Sequence, residues 1–244
     1  MKVILFTDIH GNASALRAVL SYLDQQSDID AVYCLGDLVG IGPEHNEVID
    51  LLKQRPDIQT ISGNHDECVL ALIHGENYPD SYRHAKEHHQ WIADTLTQEN
   101  QKYLERLPRA LNIMHQEQTM HLTHYAYADQ TKKIGEEPLK QAVDGTKENL
   151  SVLFAGSKAR IIGFGHHHPA QQVETEQTLF INPGALGCQE TAIAPIAIID
   201  WQKDHVRSEI LEIPYDDRPF LDVLNTTEMP ERELMRRLFF GSRI

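Results

Sequence analysis

Five short stretches of this chain carry residues that hold metal ions and phosphate: Asp8-Ile9-His10, Gly36-Asp37, Gly63-Asn64-His65-Asp66, Leu122-Thr123-His124 and Gly165-His166-His167-His168-Pro169. Asp and His are the ordinary oxygen and nitrogen donors for Mn²⁺, Fe or Zn²⁺, and a shared carboxylate can bridge two ions about 3.5–4 Å apart. That spacing suits one phosphate. A lone Asp-x-His would mean little, because any strand ending that way satisfies it by chance. A purely structural origin for all five would require several clustered polar residues with nothing to offset their desolvation. The chemistry indicated is metal-assisted hydrolysis at phosphorus.

These residues need elements that bring them together. Residues 3–7 form an apolar run ending in polar residues, and Asn12 offers an N-cap for an amphipathic stretch over 13–26 with apolar positions at Leu16, Val19, Leu20 and Leu23. The unit repeats with a strand over 31–35, a glycine-rich loop over 36–42 and a helix opened by Pro43 that runs to about residue 54. A third strand over 58–62 delivers Gly63-Asn64-His65-Asp66. This alternation predicts βαβ units and a mainly parallel sheet. Asp8 and His10, two apart at a strand end, are expected to leave one face together, as are His166 and His168, with His167 pointing away. Residues 67–107 lack a strand signal and read as a helical cap, with helices over 81–97 and 98–107. Strands resume at 110–115, 119–123, 160–165, 171–174, 178–181, 192–200 and 205–213, spaced as a second, mixed sheet, and two amphipathic helices over 217–224 and 230–240 close the chain. One domain over 1–244 accommodates all of this.

With 41% hydrophobic and 24% charged residues the composition is that of an ordinary globular protein, and no apolar run approaches the roughly 18 residues that span a bilayer. The N-terminal strand carries a motif residue, so it does not read as a signal peptide. Cys34, Cys68 and Cys188 are odd in number and widely spaced, against a disulfide framework or structural zinc, which fits a reducing cytoplasm. Cys34 lies in an apolar run and is expected to be a buried, inert thiol. A net charge of −14 disfavours long nucleic acid, so a phosphate partner must be drawn by local charge such as bound divalent ions.

The order of the motifs resembles the calcineurin-like metallophosphoesterase superfamily, whose pattern is D-x-H, G-D-x-x-G, G-N-H-D/E, an isolated His and G-H-x-H, matched here from residue 8 to residue 168. The resemblance implies a four-layer αββα sandwich of two mixed sheets flanked by helices, with metals at the strand ends. It implies that Asp8, His10 and His168 hold one metal, that Asn64, His124 and His166 hold a second, and that Asp37 bridges the two. His65 would stand near the leaving oxygen as a general acid or charge stabiliser, with Asp66 orienting it through its other ring nitrogen, while a metal-bound hydroxide attacks phosphorus. The turn Asn182-Pro183-Gly184-Ala185 resembles the N-P-G-S/A turn of small bacterial members, with a structural role.

Departures from the pattern narrow the substrate. Protein Ser/Thr phosphatases of the superfamily read G-D-x-x-D-R-G, with an Arg that grips phosphate, whereas this chain reads Gly36-Asp37-Leu38-Val39-Gly40-Ile41-Gly42. Tyr125-Ala126-Tyr127 follows the isolated His in place of the common Gly. The chain resembles the small prokaryotic phosphodiesterase-like branch, some of whose members cleave dinucleoside polyphosphates, dinucleoside tetraphosphates among them. The expected partner is a small phosphorylated substrate such as a nucleotide. Tyr125, Tyr127, Lys132 and Lys133 are candidate substrate contacts. His84, His88 and His89 read as a solvated helix face, and Tyr82, Trp91 and Tyr103 as core aromatics. The competing functions are a protein Ser/Thr or small-molecule phosphomonoesterase and a non-catalytic scaffold, like retromer's phosphoesterase-like subunit, whose site is degraded. Here every motif position is filled.

Overall fold

The central strands are buried on both faces, the pattern of sheets enclosed by other layers. In β1 (Lys2–Phe6), the two-residue period sends Val3 and Leu5 one way and Ile4 and Phe6 the other, and all four are fully buried. The computed structural model describes residues 1–241; of the domain expected over 1–244, residues 242–244 lie outside the described residues.

β1 pairs in parallel with β2 (Ala31–Cys34), which pairs in parallel with β3 (Ile58–Thr60). On its other side β1 meets β9 (Ile193–Trp201) antiparallel, and β10 (Val206–Pro214) closes that edge. The second sheet runs β4 (Ala110–His115), β5 (Gln118–Thr123), β6 (Ile161–Gly163), β8 (Leu179–Asn182) and β7 (Gln171–Glu174). Its centre, β5-β6-β8, is parallel and its two outer pairs are antiparallel. Two five-stranded mixed sheets result.

Val3, Leu5, Tyr33, Leu35 and Ile61 of the first sheet's side meet Met120, Leu122, Ile161, Leu179 and Ile181 of the second in one core between the sheets. The first sheet's outer face packs against α1 (Ala13–Asp24), α2 (His45–Lys53), α4 (Lys86–Thr95) and α5 (Gln98–Leu104). The second sheet's outer face is covered by Leu150 and Leu153 of α6 (Lys147–Leu153) with Phe154. These four layers are the sandwich expected from the motifs.

Local differences have local reasons. α2 begins at His45, two residues after Pro43, because Gly42 is tied by its amide to the His10 carbonyl and Glu44 to that of Gly11. The helix expected over 81–97 divides into a 3₁₀ turn, Asp80–Ala85, and α4. α3 (Asn64–Ile73) starts inside the Gly-Asn-His-Asp motif itself, with Gly63 as its N-cap. The helical segment is continuous with the outer layer, since Ile92, Ala93, Leu96 and Leu104 share the core of α1 and α2. At the chain's end α7 (Arg218–Thr226) and α8 (Arg232–Phe239) bury Phe220, Leu224 and Met235 against Ile41, Ala185 and Cys188. All three cysteines are buried, and burial pushes the Cys68 thiol well up. No helix among the described residues is long and apolar enough to cross a membrane.

Candidate metal centre

The parallel strands β1, β2, β3, β5 and β6 each end just before a motif, so the loops at their carboxyl ends carry Asp8, His10, Asp37, Asn64, His124, His166 and His168 toward one place. Asp8 and His10 do not converge through strand alternation. β1 stops at Phe6, and both residues adopt left-handed backbone, with φ 54° and 48°. Asp37 (52°) and His166 (68°) do the same. Asp and His tolerate that region better than most residues, yet each instance costs on the order of 1–3 kcal/mol and persists only where surroundings over-determine it. Here backbone bonds do so: the amides of Asp8, His10 and Gly11 donate to the carbonyls of Gly36 (3.0 Å), Asp37 (3.0 Å) and Leu38 (2.9 Å). Gly63 fits against Asp37 because a Cβ at that position would run into the Asp37 carboxylate and amide.

Backbone carbonyls aim the rings. His10 Nδ1 meets the Val39 carbonyl at 3.0 Å and His124 Nδ1 that of Leu35 at 2.7 Å, which leaves each Nε2 as the lone-pair nitrogen facing inward. His10 Nε2 lies 3.5 Å from Asp8 Oδ1 and 3.1 Å from His168 Nε2; His124 Nε2 lies 3.1 Å from Asp37 Oδ2. His166 Nδ1 meets Asn64 Oδ1 at 2.7 Å, and the His166 amide donates to Asp8 Oδ2 at 3.1 Å. Donor atoms of Asp8, His10 and His168 fall within 4.8 Å of one another, as do those of Asp37, His124 and His166. A third such group is His10, Asp37 and His65. Asp8 Oδ1, Asn64 Nδ2 and His124 Nε2 are buried with no hydrogen-bond partner. Buried donors and acceptors left unmade are expensive, and a bound cation would satisfy the two inward lone pairs.

The electrostatics pair the two carboxylates with His10 and His124, whose protonation Asp8 and Asp37 favour, and leave His166 and His168 neutral. Burial works against ionisation of Asp8 and Asp37, but the facing rings of His10 and His124 prevail and hold both well below the usual carboxylate range. Burial and neighbouring imidazoles push His166 and His168 down to about 4. Burial also opposes the charge on His124, yet Asp37 and Asp8 raise it to about 10.

The structure reassigns Asp66. Its carboxylate does not touch the His65 ring; Oδ1 accepts from the amides of Leu38 (3.0 Å) and Val39 (3.2 Å), and Oδ2 from that of Gly63 (2.9 Å). It therefore ties the start of α3 to the loop carrying Asp37. Burial, with Asp37 beside it, raises the Asp66 carboxyl to about 7. His65 Nδ1 instead meets His89 Nε2 at 2.7 Å, while the His65 amide donates to Asp37 Oδ1 at 2.8 Å. His88 and His89 are buried, not solvated. A signal existed: His89 shares a helical face with Ile92, Ala93 and Leu96, at i+3, i+4 and i+7.

The four expected substrate contacts do not line the cavity beside the cluster. Tyr125 is buried with its ring 4.7 Å from that of His166, and its hydroxyl accepts from the Val143 amide. Tyr127 packs under the Arg109 guanidinium, 5.0 Å away, and Arg109 in turn grips Glu67 with Nε–Oε1 at 2.7 Å and Nη2–Oε2 at 2.6 Å. The Lys132 carbonyl accepts from Arg109, and Lys133 pairs with Glu76 on the surface. That cavity, about 440 Å³, runs from His166 past Tyr82 between the 3₁₀ turn and residues 134–142. Two further contacts serve the cluster, of which only the second had a sequence signal. Phe239 of α8 sets its ring 5.7 Å from that of His168, and Asn182 Nδ2 holds the His167 carbonyl at 2.5 Å while Gly184 donates to Asn182 Oδ1 at 2.9 Å. The Asn-Pro-Gly-Ala turn thus clamps the loop of the His166–His168 pair, the structural role expected of it. His167 faces Gln171.

A family model described as the calcineurin-like phosphoesterase superfamily domain matches residues 1–204. An uncharacterised protein of Methanocaldococcus jannaschii is 25% identical over 246 residues, covering 98% of this chain and 98% of that protein. The symmetrical bis(5'-nucleosyl)-tetraphosphatase of Paracidovorax citrulli is 38% identical over 80 residues, which span 32% of this chain and 29% of that enzyme. The crystal structure of a hypothetical protein from Pyrococcus horikoshii matches with a TM-score of 0.78 over 100% of this chain and 99% of its own, at 21% identity, a likeness of fold.

Proposed function

Because this chain belongs to the calcineurin-like phosphoesterase superfamily, metal-dependent phosphoester hydrolases, we propose that it holds two metal ions and hydrolyses small phosphodiesters or nucleoside polyphosphates, dinucleoside tetraphosphates among them. The observation that carries this reading is the cluster of buried Asp, Asn and His donors within a few ångströms of one another, several with no partner. Asp8, His10 and His168 would hold one ion and Asn64, His124 and His166 the other, with Asp37 shared; Mn²⁺, Fe and Zn²⁺ suit this donor set. Bound there, the ions supply a water of lowered pKa and neutralise phosphate oxygens.

The chain's own residues do the rest. The Val39 and Leu35 carbonyls hold His10 and His124 in the tautomers that present Nε2. Asn64 contributes no charge, so the His166 side of the site keeps its attraction for a phosphate oxygen. His65 lies beside His10 and Asp37 with its Nδ1 engaged elsewhere, and would take up a proton at its free Nε2 and then give it to the leaving oxygen. The cavity beside His166 has room for a ligand of nucleotide size. The partial likeness to the tetraphosphatase of Paracidovorax citrulli supports the substrate class, and no Arg follows Asp37 to clamp a phosphoprotein.

A panel of phosphomonoesters, cyclic nucleotides, phosphopeptides and dinucleoside polyphosphates, assayed with and without chelator and added Mn²⁺, tests it. Chelation should abolish turnover, Mn²⁺ should restore it, and diesters or polyphosphates should exceed phosphopeptides by at least about tenfold in kcat/KM, some 1.4 kcal/mol of transition-state binding. Efficient phosphopeptide hydrolysis without diesterase activity would overturn the substrate class, and full activity in metal-free protein would overturn the two-metal site.

A further inference from the structure

His65 is held by a hydrogen-bonded chain whose direction can be read from its far end. Tyr78 Oη donates to the Tyr82 carbonyl at 3.0 Å, an acceptor that can only receive. A phenol has one proton, so at its second contact, 2.8 Å from His89 Nδ1, the oxygen must accept. His89 therefore carries its proton on Nδ1 and offers the lone pair of Nε2. That lone pair faces His65 Nδ1 at 2.7 Å, which must then be the N–H. His65 is left with Nε2 as its free nitrogen, the atom available to the site.

The surroundings leave this arrangement little slack. His89 is buried and packs edge-on against His65 at 4.9 Å between centroids, and the Tyr82 ring meets His65 edge-on at 5.6 Å. On the opposite side the chain narrows to Gly40, at φ +89°, where a Cβ would stand 2.7 Å from His65 Nδ1. The absent side chain at residue 40 leaves His65 Nδ1 open to its partner from α4.

We propose that His89, oriented by Tyr78, is the positioning residue that sets the tautomer and aim of His65 in phosphoester hydrolysis, a place the sequence motif assigns to Asp66. The proposal rests on the proton-moving role of His65 stated above. A neutral imidazole, in place of a carboxylate, then backs the ring, so its contribution is direction and tautomer and not a negative charge.

Two readouts test it. In metal-free protein, a ¹H–¹⁵N spectrum tuned to imidazole nitrogens should show a protected His65 Nδ1–H that is lost in His89→Ala and shifted in Tyr78→Phe. In turnover, His89→Ala should retain metal and lose about 10–100-fold on substrates with poor leaving groups, the range for removing a group that orients another. Activated aryl esters should change little. Tyr78→Phe, which deletes one oxygen and no ring, should lose about fivefold, the worth of one neutral hydrogen bond, and keeps the test open if His89→Ala fails to fold. His65→Ala/His89→Ala should be no slower than His65→Ala alone. A large loss in His65→Ala with Tyr78→Phe and His89→Ala both silent overturns the positioning role only. Silence in His65→Ala overturns the role of His65 and this proposal with it. A double variant slowed by the product of the two single losses shows that His89 acts independently of His65, and also overturns it.

Discussion

The metal cluster and the cleft beside it are built by opposite means. Asp8, His10, Asp37, Asn64 and His124 are at most 1% exposed, four cluster residues sit in left-handed backbone, and their aim is set by main-chain carbonyls and amides that no side-chain substitution removes. The cleft is lined by the exposed residues Ser81, Glu137, Gln141 and Ala142, and Glu137 clasps its two walls together by accepting from the Ser81 amide (2.9 Å) and hydroxyl (2.6 Å). A rigid, buried cluster preserves reaction chemistry, whereas a loop-lined wall can change its contacts without disturbing it. On the function proposed above, catalysis and substrate choice in this chain would be separable.

The sharpest test of that separation is Asp37→Asn. It removes the carboxylate proposed to be shared while keeping the side chain's size, and should cost well over the roughly 100-fold that follows loss of a merely orienting group, on every substrate alike. Metal content by elemental analysis should fall in parallel. An Asp37→Asn protein as active as the parent would end the two-metal reading. A smaller, selective effect belongs to the cleft. Ala142→Trp narrows its mouth and should raise KM for a dinucleoside polyphosphate about tenfold while leaving a small aryl phosphate nearly unaffected. Equal losses on both substrates would join the two regions and refute the comparison.

The smallest effect concerns the scaffold behind the cluster. Glu44, at the end of the loop carrying Asp37, accepts from the Ala13 amide at 3.0 Å, and burial lifts its carboxyl from 4.5 to about 7. An acid whose folded pKa is raised binds more protons folded than unfolded between those values, so its contribution is fully present below about pH 4.5 and is lost as pH rises through about 7. With the group partly exposed, screening reduces the loss to about 1–2 kcal/mol. Glu44→Gln should accordingly raise Tm by a few degrees at pH 8 and leave it unchanged at pH 4.5. An equal shift at both pH values would show that ionisation of Glu44 is not its source.

Much of the cluster was legible because donor chemistry is local. Each of the seven candidate ligands sits in a short motif following an apolar run, and strand periodicity alone places those motifs at the sheet edge. The residues that serve the cluster from a distance were not. His89 lies 24 positions from His65, on α4, whose Ile92 and Ala93 meet the core of α1 and α2; Tyr78 lies 13 away, in the loop before the 3₁₀ turn, packed against Cys68, Ala71 and Ile134. Asp66 misled for a related reason. Adjacent to His65 in sequence, it begins a helix, where its carboxylate satisfies the Gly63 amide at the capping position more readily than a neighbouring ring. Lys132 and Lys133 drew attention by charge, but Arg109 binds their loop by its main chain and turns it toward Glu67.

Residue types, their order and their alternation with apolar strands are properties of the chain alone, and they determined the α/β class and the motif order, because burial periodicity and ligand chemistry act over a few residues; the four-layer sandwich and the full donor set came with the family resemblance those motifs carry. Which backbone twists to bring Asp8, His10, Asp37 and His166 into one cluster, and which partner holds each of His10, His65 and His124, were decided by the tertiary structure. Each depends on hydrogen bonds between segments far apart in sequence, such as His10 Nδ1 to the Val39 carbonyl and His124 Nδ1 to that of Leu35, 29 and 89 residues away. The first partner exists only once β1 and β2 have paired, and the second only once the two sheets have packed.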